Sequence, residues 1–198
     1  MKGVLVGCVV VLVGAVLVIG MAVAGSYNRL VNLDEGVKSA WGQVENVYQR
    51  RADLVPNLVE TVKGAAAFEK DTFTAVTEAR AKVGQVTLGK VPDAQEMQKF
   101  QSAQDGLSSA LSRLLVVVEK YPDLKATENF RDLQAQLEGT ENRIAVERMR
   151  YNETAQRFNS ARSTFPTNVA AGFFGSRFTD KAYFHAREGA STPPKVQF

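Results

Sequence analysis

Residues 3–25 read GVLVGCVVVLVGAVLVIGMAVAG, a run without one charged side chain, placed directly behind Lys2. About 20 apolar residues, each rising 1.5 Å in a helix, cover the roughly 30 Å of a bilayer's hydrocarbon core. The run is long enough to span. As the core helix of a soluble domain it fails, because every helical face is apolar and none is left for water. As a lipidated leader it fails too: Leu5-Val6-Gly7-Cys8 resembles a lipoprotein cleavage box, but too little hydrophobic sequence precedes it. A cleaved signal peptide stays open, since Ala22-Val23-Ala24 has the small-x-small form of a cleavage site. The run exceeds the usual apolar region of roughly 7–15 residues, which favours an uncut anchor.

Within the run, Gly3, Gly7 and Gly14 fall on one side of a helix, where small residues allow a second helix to approach closely. The single cysteine, Cys8, lies there as well, so no intrachain disulfide forms. Orientation is weakly marked. Lys2 and the amino terminus precede the run and Arg29 and Lys38 follow it; Arg50 and Arg51 come next and tilt the balance slightly toward a cytoplasmic body. The whole chain of 198 residues holds 24 Lys and Arg against 21 Asp and Glu. So even a balance is no nucleic-acid footprint, and no nucleic-acid partner is expected.

Beyond the run, helical periodicity takes over. Leu30, Leu33, Val37, Trp41, Val44, Tyr48, Leu54, Leu58 and Val62 recur at three and four residues, the apolar face of one long helix reaching about Gly64. Pro56 interrupts it; with no N–H for the carbonyl of Ala52, a kink or break is expected near Asp53. A second, shorter helix follows from a cap at Asp71 through Phe73, Val76, Ala79 and Val83, and residues 86–91 read as a loop. The third opens on a capping box, Asp93 with Glu96, and carries Met97, Phe100, Gln104, Leu107, Leu111, Leu114 and Val118 before stopping at Tyr121-Pro122. In the fourth, Phe130, Leu137, Ile144, Tyr151, Phe158 and Phe165 recur every seven residues, and Pro166 ends it. Its second seam (Leu133, Thr140, Glu147, Thr154, Ala161) is too polar for a free two-stranded coil and suits an antiparallel bundle. Nothing alternates with period two. The expectation is an all-α chain: residues 1–25 a transmembrane anchor, residues 26–165 an elongated antiparallel bundle of about four helices, residues 166–198 an aromatic and basic arm with a loose tail.

These residues carry a family resemblance. The segment Arg50-Arg51-Ala52-Asp53-Leu54-Val55-Pro56-Asn57-Leu58-Val59-Glu60-Thr61-Val62-Lys63-Gly64 resembles the signature of the LemA family. So do Tyr27-Asn28-Arg29-Leu30-Val31 with Ala40-Trp41, then Tyr121-Pro122-Asp123-Leu124-Lys125-Ala126, Glu141-Asn142, Tyr151-Asn152, Phe158-Asn159 and Phe165-Pro166-Thr167-Asn168. Gly172-Phe173-Phe174-Gly175 departs slightly from the family's glycine-phenylalanine ending. The resemblance covers nearly the whole chain. It implies a single-pass protein of a bacterial inner membrane with an antiparallel helical bundle and no established activity, cofactor or substrate. Family members often neighbour a membrane zinc metalloprotease in bacterial genomes, which suggests a membrane partner of that kind.

The constellations that carry chemistry are thin. His185 is the single histidine and sits in the arm, so neither a zinc site nor a Ser-His-Asp triad can be built around it; no metal, cofactor or catalytic residue is expected. Glycine-rich phosphate loops need a preceding strand, and the Glu-x-x-His pairs of di-iron bundles are absent. Interaction residues are the better candidates. Arg50, Arg51, Asp53, Pro56 and Asn57 either form a charged recognition patch, or the arginines are solvated or pair with Glu141 or Glu147 on the fourth helix. Asn152 and Asn159 follow seam residues and suit hydrogen bonds across helices that fix register. Trp41 reads as core. Phe173, Phe174 and Arg177 belong to an arm that either docks on a neighbouring subunit or the lipid headgroups, or folds back on its own bundle. The function expected is a membrane-anchored, non-enzymatic scaffold that self-assembles, with the lipid bilayer and further copies as partners; the alternative is an adaptor for a membrane protein such as an envelope protease.

Overall fold

The computed structural model describes residues 2–65, 69–86, 89–175 and 177–185. The described residues are helices and connecting loops, without a strand among them. α1 (Lys2–Ala65) holds the apolar run and the first helical stripe in one piece of 64 residues, roughly 95 Å long at 1.5 Å per residue. α2 (Lys70–Gln85) returns along its far half, α3 (Ala94–Val118) reverses again, and after the single turn of α4 (Pro122–Lys125) the long α5 (Glu128–Ser163) runs back beside α1. Trp41 meets Tyr151 and Arg51 meets Glu141, so α1 and α5 are antiparallel. α6 (Thr167–Phe173) then folds onto α1, and residues 177–185 form an arm. The all-α, antiparallel expectation holds, with α4 and α6 as short additions to four long helices.

Pro56 does not break α1. It does leave the carbonyl of Ala52 without its helical donor. Arg80 of α2 fills that role, its Nε donating to Ala52 O at 2.9 Å, so the missing rung is made from a neighbour and the expected break near Asp53 is absent. The capping box of α3 is formed: Glu96 N donates to Asp93 Oδ1 at 2.8 Å and Asp93 N to Glu96 Oε2 at 3.0 Å. α2 begins earlier than its expected cap. The amides of Thr72 and Phe73 already bond to the carbonyl of Glu69, which leaves Asp71 in the first turn, where a negative charge suits the helix dipole. α5 ends sooner, at Ser163, with Thr164 extended (φ −96°, ψ 139°). A residue preceding proline is pushed out of the α region, so the chain leaves the helix ahead of Phe165. Phe165, expected to close the seven-residue seam, is 77% exposed, whereas Phe130, Leu137, Ile144, Tyr151 and Phe158 are buried.

Two cores result. The one far from the apolar run packs Leu58, Val62, Phe73, Val76, Leu114 and Phe130 from α1, α2, α3 and α5. The near one is aromatic: Trp41, Tyr48, Phe100, Tyr151, Phe158, Phe178 and Phe184, the last two from the arm. Trp41 lies at its centre, edge-on to Phe100 (5.3 Å) and Tyr151 (5.6 Å) and stacked on Phe184 (6.1 Å, 20°). Beyond α2's end the arm supplies the packing that a fourth helix would otherwise give.

Candidate functional site

Leu30, Asp34, Val37, Trp41, Val44, Tyr48, Arg51, Val55, Leu58 and Val62 alternate by three and four along α1, and every one is buried. Two of them are charged. The apolar stripe read from the sequence bypasses Asp34 between Leu33 and Val37, and passes over Arg51 by jumping from Tyr48 to Leu54, which is only half-buried. The strict spacing is the signal that marks both as seam residues.

Arg51 sits between the two cores and is 1% exposed. Its Nη1 donates to Glu141 Oε1 of α5 at 2.8 Å and to Ser108 Oγ of α3 at 3.0 Å. Its Nη2 donates to the carbonyl and the side-chain amide oxygen of Gln104, and its guanidinium lies 5.1 Å from the centre of the Tyr48 ring. A buried guanidinium needs such a set, because its fork of donors desolvates at high cost if left unpaired. Glu141 keeps a 41% exposed side chain, so the pair is dry at the arginine and wet at the carboxylate.

Asp34 is held from two sides: Lys181 of the arm at 2.6 Å and Lys38 one turn on at 2.9 Å. Burial pushes its carboxyl up, but the two ammonium groups outweigh that and keep it below the usual carboxylate range. Lys181 belongs to a strap laid along α5. Asn159 donates Nδ2 to Lys181 O and accepts from Lys181 N; Asn152 does the same to Phe184, all at 2.8–2.9 Å. Seven helical residues rise about 10.5 Å and three extended residues about 10 Å, so two asparagines one heptad apart match an extended arm read every third residue. Arg162 and Arg148 extend the ladder to Phe178 O and His185 O. The asparagines thus bind the arm's backbone, not another helix. The arm has no periodicity of its own, so this partner leaves no trace in the pattern.

The remaining candidates are spread apart. Arg50, Asp53, Pro56 and Asn57 are exposed on the outer face of α1, with Asp53 accepting from Gln49 at 2.8 Å, while Arg51 points inward. Phe173 is 87% exposed on α6; Phe174 packs on Tyr27 at 4.8 Å and Arg177 lies 5.5 Å from the same ring. No heavy atom lies within 4 Å of a Cβ built on Gly3, Gly7 or Gly14, so that glycine face is open. The loose tail expected at the end of the chain, residues 190–198, lies outside the described residues.

Two clefts flank the near core. One of about 170 Å³ is lined by Glu45, Tyr48, Arg80 and Gln104; the other, about 460 Å³, by Asp34, Lys38, Glu45, Lys90 and Lys181 beside the arm. Burial raises the pKa of Glu45, against a hydrogen bond from Trp41. Burial also raises those of Tyr48 and Tyr151. Each of these groups lies against the aromatic core, and burial is the largest cause of each shift. Among the described residues no group of three His, Cys, Asp or Glu could hold a metal ion.

The LemA family model matches residues 40–198, which takes in the seam from Trp41 onward with Arg51, the asparagine ladder and the arm. The chain belongs to the LemA family. It is also similar to magnetosome protein MamQ of Magnetospirillum gryphiswaldense, 27% identical over 84% of this chain and 67% of that protein. Magnetosome protein MamQ 2 of Paramagnetospirillum magneticum is 28% identical over the same shares. Protein LemA of Metamycoplasma hominis is 26% identical over 74% of this chain and 64% of its own length. In this LemA-family chain the signature segment around Arg50-Arg51 is thereby given a physical role: Arg51 closes the polar layer between the cores, and Pro56 is matched by Arg80.

Proposed function

We propose that this protein is a membrane-anchored, non-enzymatic scaffold that acts by self-association. The observation that carries the reading is α1. One continuous helix starts as an apolar rod, with Val10, Leu12, Val16, Leu17 and Ile19 each more than 60% exposed, and becomes the central seam of the bundle. A side chain so exposed in water is unfavourable by about 25 cal/mol per Å², and a bilayer removes that penalty over the roughly 30 Å the run covers. Arg51 and Asp34, the two buried seam charges of α1, are held in ion pairs within the fold, which favours the outer surfaces as the acting ones. The open face of Gly3, Gly7 and Gly14 suits a second copy in the membrane. The relatives named for the magnetosome are named for a cellular structure, which suits a structural role.

Light scattering on detergent-solubilised, full-length protein tests it: oligomers persisting on dilution are expected, and a strict monomer at every concentration defeats the self-association. A second reading, an adaptor for a membrane protein such as a protease, is favoured by the exposed Arg50, Asp53 and Asn57 on one outer face of α1. A photocrosslinker at Asn57 separates the two, capturing another copy in the first case and a foreign protein in the second. The basic residues Arg29, Lys38, Arg50 and Arg51 favour a cytoplasmic body, tested by protease protection in sealed spheroplasts.

A further inference from the structure

Residues 165–175 read FPTNVAAGFFG, a second stretch without charge, and α6 lies within it. Its seven residues have two faces. Thr167, Ala170 and Ala171 are buried, whereas Val169 and Phe173, one turn apart on the opposite side, are 54% and 87% exposed. Phe165, at 77%, and Phe174, at 40%, widen the apolar surface. In water such a patch of aromatic and aliphatic side chains marks a contact surface.

The position of α6 along α1 says what the contact is. Ser26 of α1 is buried and Val23 is half-buried, while their neighbours Met21, Ala22, Ala24 and Gly25 are exposed, and Phe174 and Phe178 close on Tyr27 at 4.8 and 5.7 Å. The packing of α6 and the start of the arm therefore covers α1 at residues 23–27. Counted from Gly14, the middle of the apolar run, those residues lie about 14–20 Å up the helix axis. The hydrocarbon half-thickness is about 15 Å and the headgroup zone adds several more. Arg29, about 22 Å up the axis, and Arg177 border the patch, Arg177 with its guanidinium 5.5 Å from the Tyr27 ring and 5.8 Å from the Phe178 ring. Exposed phenylalanines bordered by arginines suit an interface, where rings enter the acyl boundary and guanidinium groups meet phosphates.

We propose that α6 is an interfacial helix, with Phe165, Val169 and Phe173 inserted at the acyl–headgroup boundary of the bilayer that α1 crosses. This rests on α1 spanning the membrane. Two anchors at one level, joined through Tyr27, fix the tilt and rotation of the bundle on the membrane surface rather than leaving it to swing on α1. The glycine face of α1 is thereby presented in a constant direction.

The test uses full-length protein carrying Cys8→Ala, reconstituted in vesicles of phosphatidylethanolamine and phosphatidylglycerol. Three single cysteines are labelled with an environment-sensitive fluorophore: Phe173→Cys on α6, Val13→Cys in the run, and Met149→Cys on the outer face of α5 as the aqueous control. The expected result is strong quenching of the α6 label by lipid with a doxyl group high on the acyl chain, weaker quenching by doxyl at the chain end, and protection from iodide. The Val13 position should show the reverse depth order, and the Met149 position should be quenched by iodide alone. An iodide-quenched label at position 173 with a deep label at position 13 overturns the interfacial helix and leaves the anchor standing. An aqueous label at position 13 overturns both.

Discussion

Removing one asparagine of the ladder should loosen the arm without melting the bundle. Asn152→Ala deletes two hydrogen bonds to Phe184, at 2.9 Å each. At about 0.5–1.5 kcal/mol apiece, the docked arm loses about 1–3 kcal/mol, a rise of roughly 5- to 150-fold in the open population. Asn159→Ala deletes two more to Lys181 and one to the Tyr183 hydroxyl. Both changes touch one strap, so the double variant need not equal the sum. Trypsin cleavage after Lys181 reports the opening, because that side chain is 11% exposed and must leave Asp34 to enter a protease. Where opening and closing outpace cleavage, the rate follows the open population. Phe184→Ala serves as the upper bound, at about 3–5 kcal/mol for a buried phenylalanine. The helical signal of α1 and α5 should keep its melting midpoint in Asn152→Ala to within a few degrees. Unchanged cleavage after Lys181 would refute the ladder. So would a bundle that melts together with the arm, since the arm would then be part of one cooperative unit.

Three other outcomes follow from the buried charges and the proline. Glu141→Ala leaves the Arg51 guanidinium buried with only Gln104, Ser108 and the Tyr48 ring, and should cost about 2–4 kcal/mol in urea unfolding. Adding Arg51→Met should return part of that loss, since the orphaned charge is gone; a double variant weaker than Glu141→Ala alone would contradict the assignment. Arg80→Met should cost about 0.5–1.5 kcal/mol in the native background and less beside Pro56→Ala, where a restored backbone N–H at that position would supply the rung to Ala52 O; equal costs in both backgrounds would count against Arg80 standing in for the proline. On acidification, Asp34, whose pKa is lowered in the fold from 3.8, contributes its stabilisation above that value and loses it as the pH falls below it. Fluorescence of Trp41, the single tryptophan and stacked on Phe184, should therefore change at pH below about 4, and Asp34→Asn should abolish that acid step.

Most of the architecture is readable because α3 and α5 declare themselves by spacing alone: Met97 to Val118 forms one stripe, Phe130 to Phe158 one seam, and Asp93 with Glu96 one cap. Such signals are local, and local physics decides them. What the pattern hides involves a partner distant in sequence. The spacing leaves Arg51 either solvated or paired with Glu141 or Glu147; the fold pairs it with Glu141, ninety residues away, and the set that makes its burial tolerable is completed by Ser108 and Gln104 of α3, which no pattern announces. Pro56 reads like a break because a proline's cost is local while Arg80's remedy comes from another helix. Asn152 and Asn159 are recognisable as polar neighbours of a seam, but an extended arm has no repeat to announce where it lies. α6 escapes notice because Pro166 ends one helix and, equally, can open the next.

The two seam charges decide more than stability. Apolar seams of Val, Leu and aromatic residues are degenerate: slide α1 by seven residues along α5, about 10.5 Å, and hydrophobic side chains still face hydrophobic side chains. Arg51 and Asp34 do not tolerate that slip. Displaced by a heptad, Arg51 leaves Glu141 and Gln104 and enters an apolar layer, while Asp34 leaves Lys181 at the arm, and each uncompensated charge costs several kcal/mol. The register of the bundle is thus chosen by charge and cemented by packing. Because α1 is one helix from its apolar start to Ala65, the same choice fixes the height of α6, the arm and the polar layer relative to the apolar run. On the proposed reading, in which the outer faces act, a buried arginine and a buried aspartate hold those faces at a set height and azimuth.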